Sequence, residues 1–154
     1  MRSVFCLLVL ALLGFPLEAP AQEGGDAPPA PYDLLSLECG ELDQEAGLLP
    51  LRPNHIAGED MDLLCKAKVQ LSPSARGTPR PHTVSLSVVQ GKKTTYQQVR
   101  DTRLLAPGTR TILFVIPAER LPSDSGKVVI RAELSKPASK PSIREVSFEI
   151  NAED

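Results

Sequence analysis

The amino-acid sequence predicts an all-β fold, a single antiparallel β-sandwich of about seven strands, and three observations carry that expectation. From Met61 to Leu71, the residues Met61, Leu63, Cys65, Ala67, Val69 and Leu71 occupy alternate positions. Asp62, Lys66, Lys68 and Gln70 fall between them, with Leu64 the one apolar intruder. A period of two sets one group against a core and the other in water; a helix would spread these charges around its circumference. The second observation is punctuation: 15 prolines and 10 glycines separate short runs of the same alternation, and the chain has no tryptophan. The third is that such runs follow one another at short intervals, as sandwich strands do.

The N-terminus gives an address. Arg2 is the only charge before Glu18, and Val4 to Phe15 is uncharged and apolar. Ala19-Pro20-Ala21 then supplies small residues where a signal peptidase reads them. A basic start, a short apolar run and a small-x-small exit predict a signal peptide over 1–21. An uncleaved anchor is the alternative, but the run falls short of the roughly 20 residues a membrane span needs. Cys6 lies early in the run, so no lipoprotein is expected. The mature protein is therefore expected to be secreted or periplasmic. Residues 22–31, rich in Pro and Gly, read as a disordered leader. Residues 32–154 suffice for one domain with its own core.

The elements follow in order. Leu35, Leu37 and Cys39 share one parity, which predicts a first strand with Cys39 inward. Residues 41–60 read as a long connection in which Leu48, Leu49, Leu51 and Ile56 cap the edge of the core. The Met61–Leu71 run is the central strand. Residues 72–81 hold three prolines and read as a loop. Val84, Leu86 and Val88 define the next strand, and Gly91-Lys92-Lys93-Thr94 a hairpin turn. The polar return over 95–105 reads as an edge strand. Ile112-Leu113-Phe114-Val115-Ile116 is a continuous apolar run, typical of a strand covered on both faces. Val128, Ile130, Ala132 and Leu134 alternate with Lys127, Arg131 and Glu133, and Val146, Phe148 and Ile150 mark a last strand. Cys39 and Cys65 both fall on the inward parity of their strands. In an oxidising compartment this predicts one disulfide, Cys39–Cys65, with two buried free thiols as the alternative.

The stretch Asp124-Ser125-Gly126-Lys127-Val128-Val129-Ile130 is similar to the Asp-x-Gly-x-Tyr-x-Cys corner of immunoglobulin domains. Asp124 and Gly126 match; Val128 stands at the tyrosine position and Ile130 at the second cysteine. The chain thus resembles the wider immunoglobulin-like and fibronectin-type sandwiches. Leu105-Ala106-Pro107-Gly108 before the Ile112–Ile116 run also looks like bacterial adhesion-related sandwich modules. The resemblance implies an immunoglobulin-like sandwich and specifies no ligand.

The net charge of −2 conceals a segregation. Residues 22–65 carry ten acids and one base, and 66–110 nine bases and one acid, Asp101. Lys92, Lys93, Arg100, Arg103 and Arg110 lie on or beside one predicted hairpin and form the candidate anion-binding face. The competing reading is that these charges keep an edge strand soluble and pair with the acidic first third. Tyr96 is the only ring among them, too few for a single-stranded nucleic-acid platform, so nucleic acid is not expected as a partner.

Signals for catalysis are sparse. His55 and His82 have no ligand-type residue at metal spacing and read as solvated loop residues. Glu59, Asp60 and Asp62 lack the spacing of a calcium loop and read as a solvated acidic turn. There is no Gly-x-Ser-x-Gly elbow and no phosphate cradle. The expectation is a non-enzymatic binding or structural module without metal or cofactor, recognising a protein or acidic glycan through a strand edge or end loops. An inhibitor or accessory subunit of one extracellular or envelope complex is the alternative. A hydrolase would need a deep pocket beside His55 or His82 with at least one perturbed carboxylate or histidine.

Overall fold

A computed structural model of the chain describes residues 32–43, 45, 47–56, 61–73, 82–135 and 142–152. The signal peptide and leader expected over 1–31 lie outside the described residues, as do Glu59, Asp60 and the loop at 136–141. Among the described residues nine strands run in chain order: β1 (Tyr32–Asp43), β2 (Gly47–Pro50), β3 (Asn54–Ile56), β4 (Leu63–Leu71), β5 (Thr83–Gln90), β6 (Lys93–Asp101), β7 (Gly108–Ile116), β8 (Gly126–Leu134) and β9 (Ser142–Asn151). One turn of 3-10 helix, Ala118–Arg120, lies between β7 and β8. A four-stranded sheet has the order β2-β1-β4-β7, and a five-stranded sheet the order β3-β9-β8-β5-β6.

The protein is all-β with two sheets, as the alternation predicts. It departs from the expectation in having nine strands among the described residues and one parallel pair, β3 with β9. Both extra strands come from the stretch expected to be an irregular connection. Gly47, at φ +81°, turns the chain back on itself, and β2 pairs with the end of β1. Gly40 admits that return: a Cβ there would collide with the Leu49 carbonyl oxygen and come within 2.8 Å of Leu48 Cδ1. Leu48, Leu49 and Ile56 consequently stand exposed and do not cap the core; only Leu51 packs against it.

The core lies between the sheets. β4 occupies an interior position, and Leu63, Cys65, Ala67, Val69 and Leu71 are fully buried while Lys68 is exposed. Facing them from the other sheet are Val84, Leu86 and Val88 of β5 and Val128, Ile130, Ala132 and Leu134 of β8, in one continuous cluster. Complete burial of each large apolar side chain contributes about 1.5–3 kcal/mol.

Two strands differ from their sequence reading. In β1 a bulge intervenes: Leu34 pairs with Val69, but Ser36 pairs with Lys68. Tyr32 and Leu34 therefore face the core before the bulge, and Leu37 and Cys39 after it. Leu35, expected inward, is the extra residue and is exposed. A bulge resets the parity of a strand, which a strict period of two cannot register. β7 is not covered on both faces, since Leu113 is 50% and Val115 40% exposed, and it lies at the edge of its sheet.

Candidate functional site

Cys39 and Cys65 are directly opposite each other on β1 and β4, with Cα atoms 4.1 Å apart and sulfurs at the bonding distance of 2.10 Å. The pair ties neighbouring strands of one sheet. So close a Cα approach marks a non-hydrogen-bonded pair of an antiparallel ladder. The backbone groups of Cys65 must then point to the other side, toward Phe114 of β7, its register partner. Along β7 the direction alternates. The N–H and C=O groups of Thr111, Leu113 and Val115 thus point away from the sheet, along its open edge.

β6 and β7 are the terminal strands of their two sheets. Arg100 pairs with Val84, and Arg110 with Val69, both buried valines. Residues opposite each other share a face. The two arginines therefore stand on the inward parity of edge strands and emerge at the rim. With Arg103 they line a hollow of about 490 Å³ that also includes Val99, Asp101 and Leu113. The Arg100 guanidinium carbon lies 5.8 Å from the centroid of Phe114, a cation–π arrangement across the two sheets. Tyr96 O–H donates to the Val115 carbonyl at 3.4 Å and links β6 to β7 further along.

Arg103 sits on a loop pinned from both sides. Thr102 is fully buried, and its N–H donates to the His82 carbonyl at 2.7 Å. Tyr32 O–H donates to the Leu104 carbonyl at 2.6 Å, and Arg110 Nη1 to the Arg103 carbonyl at 3.3 Å. These anchors hold Arg103 at φ +49°, the one non-glycine with positive φ among the described residues. That left-handed geometry costs an L-residue roughly 1–2 kcal/mol.

Of the five basic residues singled out in the sequence, three are thus brought together. Lys92 and Lys93 sit at the other end of β6, at the β5–β6 turn; Lys93 borders a separate hollow beside Glu119 and Asp124. Among the described residues, no carboxylate lies within ion-pair distance of Arg100, Arg103 or Arg110. The acidic first third instead uses Glu41 for its own Arg52, at 2.8 Å. Sequence reasoning missed Val99 and Leu113, the exposed apolar side chains that line the hollow with the arginines. The signal was Thr109-Arg110-Thr111, a polar start that an interior strand would not carry.

Both histidines are buried, correcting the expectation of solvated loops. His55 is 3% exposed because β3 joins the sheet edge beside β9 and sets its ring edge-to-face on Phe148 at 5.0 Å. Its Nε2 lies 3.1 Å from the Arg52 carbonyl and 3.8 Å from Glu41 Oε1. Burial pushes the Glu41 carboxyl up, but hydrogen bonds from the Arg52 guanidinium and backbone N–H, with the charges of Arg52 and His55, outweigh it and hold the group below its ordinary value. A hollow of about 260 Å³ lies beside His55, lined also by Met61, Glu119, Ser123 and Phe148. A hydrolase reading requires a deep pocket with a perturbed carboxylate or histidine; Glu119, the carboxylate in this lining, is exposed, and Glu41, whose value is lowered, does not line it.

His82 is 5% exposed, its ring 4.2 Å from that of Tyr32. Burial raises the Tyr32 phenol, while the nearby Thr102 hydroxyl pulls the other way. Asp62, expected in a solvated acidic turn, accepts the Ala118 N–H at 2.9 Å and so fixes the start of the 3-10 turn. Among the described residues, no three His, Cys, Asp or Glu side chains are grouped to hold a metal ion, and no helix is long and apolar enough to cross a membrane. No family model matches the chain, and no curated protein matches it significantly.

Proposed function

We propose that the chain is an exported, non-enzymatic β-sandwich module that binds an anionic partner, a protein or an acidic glycan, through the flank shared by β6 and β7. The observation that carries this reading is the convergence of Arg100, Arg103 and Arg110 on one hollow with no carboxylate in ion-pair distance among the described residues. Guanidinium groups left in this way are available for bidentate recognition of carboxylate or sulfate. The loop strain at Arg103 fits a residue held for a ligand. Export is supported by the Cys39–Cys65 pair, since such bonds persist in oxidising compartments.

An immunoglobulin-like sandwich is part of the proposal. With β2 and β3 set aside, the order is β1-β4-β7 against β9-β8-β5-β6. In the lettering of that fold this corresponds to A-B-E against G-F-C-C′, with β2 and β3 inserted between A and B. Val128 and Ile130, at the corner tyrosine and second cysteine positions, are both fully buried. The cysteine pair departs from the antibody pattern by joining strands within one sheet.

The test is retention on a sulfated polyanion matrix under a salt gradient. A chain of net charge −2 has no general attraction to such a matrix, so retention reports a local patch. Arg103→Asn with Arg110→Gln, asparagine being tolerant of the left-handed backbone, is expected to abolish retention. Lys92→Glu with Lys93→Glu is expected to shift it only slightly. Flow-through of the unaltered protein at low salt would refute the reading.

A further inference from the structure

We infer that the open edge of β7 accepts an added strand from an acidic, extended segment of a partner protein. This deepens the anion-binding reading and rests on it. The segment would carry carboxylates on alternate positions facing Arg100, Arg103 and Arg110, with small apolar side chains on the positions between them.

The main chain comes first. Thr111 and Leu113 direct their N–H and C=O groups outward, as the Cys39–Cys65 register requires. Tyr96 already donates to the Val115 carbonyl and closes the edge at that end. The open length runs from Thr109 to Leu113, beside the arginines, and spans roughly 17 Å at about 3.4 Å per residue. An unpaired edge of this kind templates strand addition.

The side chains then select. A strand added to β7 alternates between the core side and the outer side of the sheet. Its core-side residues would project into the hollow lined by Arg100, Arg103 and Arg110. Its outer residues would lie beside Thr111 and Leu113, the latter half-exposed, and could cover that apolar surface. Asp101 is the only acid in the lining. Inward-pointing charges at a sheet edge repel generic pairing. Neutral strands would bury guanidinium groups without partners, and a second copy of β7 would add further arginine. An acidic strand removes that penalty, so the charges that reject ordinary edges admit this one.

The full chain is titrated, by fluorescence anisotropy, with two labelled peptides of identical composition. One alternates glutamate and valine; the other holds them in separate blocks. The alternating peptide is expected to bind about tenfold more tightly, the yield of one or two net hydrogen bonds, and to weaken with salt. Leu113→Pro removes one outward amide at an edge where proline is tolerated; it is expected to erase the preference for the alternating peptide. A peptide N-methylated at alternate residues makes the same test without altering the protein, and is expected to lose the preference too. Equal affinity of the two peptides with matrix retention intact would overturn strand addition and leave the anion-binding flank standing. Tighter binding of a sulfated oligosaccharide than of the alternating peptide would do the same and assign the flank to a glycan. Loss of both peptide binding and retention would remove both readings together.

Discussion

Glu41 shows how a single side chain fixes an element that its own sequence neighbourhood does not predict. Its carboxylate receives the Arg52 backbone N–H at 3.1 Å and the Arg52 Nε at 2.8 Å, and lies 3.8 Å from His55 Nε2. These contacts brace the segment leading into β3 against β1. The lowered folded-state value has a consequence for pH. In the unfolded chain the carboxyl returns to its ordinary range, so as pH falls the unfolded state takes up its proton first. The contribution is fully present above about pH 5 and is lost as pH falls through the lowered folded value. Thermal melts of the protein and of Glu41→Gln, compared across that window, should show a flatter pH dependence for the variant. Parallel curves would mean that the pair does not couple to folding.

At the scale of elements, β1 and β4 are joined by an antiparallel ladder and by a covalent bond. Cys39 and Cys65 are 26 residues apart in sequence. Closing a loop of that size restricts the unfolded chain by roughly 3.5 kcal/mol in the chain-entropy model. The double variant Cys39→Ala with Cys65→Ala should therefore unfold at lower urea by about that free energy. Thiol titration of the denatured protein without reductant should find neither mature cysteine; two reactive equivalents would show the bond absent. The bulge in β1 acts on the same ladder. It turns Leu35 outward, where its carbonyl accepts Arg144 Nε of β9 at 3.2 Å, so the bulge also links the two sheets.

For the whole molecule, Phe114 is the residue on which both sheets depend. It is fully buried, pairs with Cys65 beside the disulfide, and carries Arg100 of the opposite sheet over its ring. Phe114→Ala should cost about 3–5 kcal/mol. Whole domains are stable by only about 5–15 kcal/mol, so the variant should melt far earlier in a urea titration, with one cooperative transition. A loss below about 1 kcal/mol would show that the site collapses without penalty. Because Arg100 also lines the hollow, weakened polyanion retention in a still-folded Phe114→Leu variant would show that the core sets the arginine's position.

The fold class was legible in the residues themselves. The alternation through Met61–Leu71, and again at Val84–Val88 and Val128–Leu134, emerges as strands with those apolar residues buried, because a pleated strand with one covered side admits only that pattern. The Cys39–Cys65 pairing was legible for the same reason: both residues shared the inward parity. The polar return after Gly91 was readable as an edge strand, and β6 is one. Other features depend on partners far away in sequence. The parallel place of β3 and the bulge at Leu35 are set by which strand lies alongside, and the exposure of Leu113 and Val115 by which face of β7 meets the core. An apolar run looks the same whether one face of its strand is covered or both. Of the basic residues, the sequence supplied the five charges and their sign. Only tertiary structure gathered Arg100, Arg103 and Arg110 and set the two lysines apart, because the chain crosses from one sheet to the other between β6 and β7, whose ends meet on one flank.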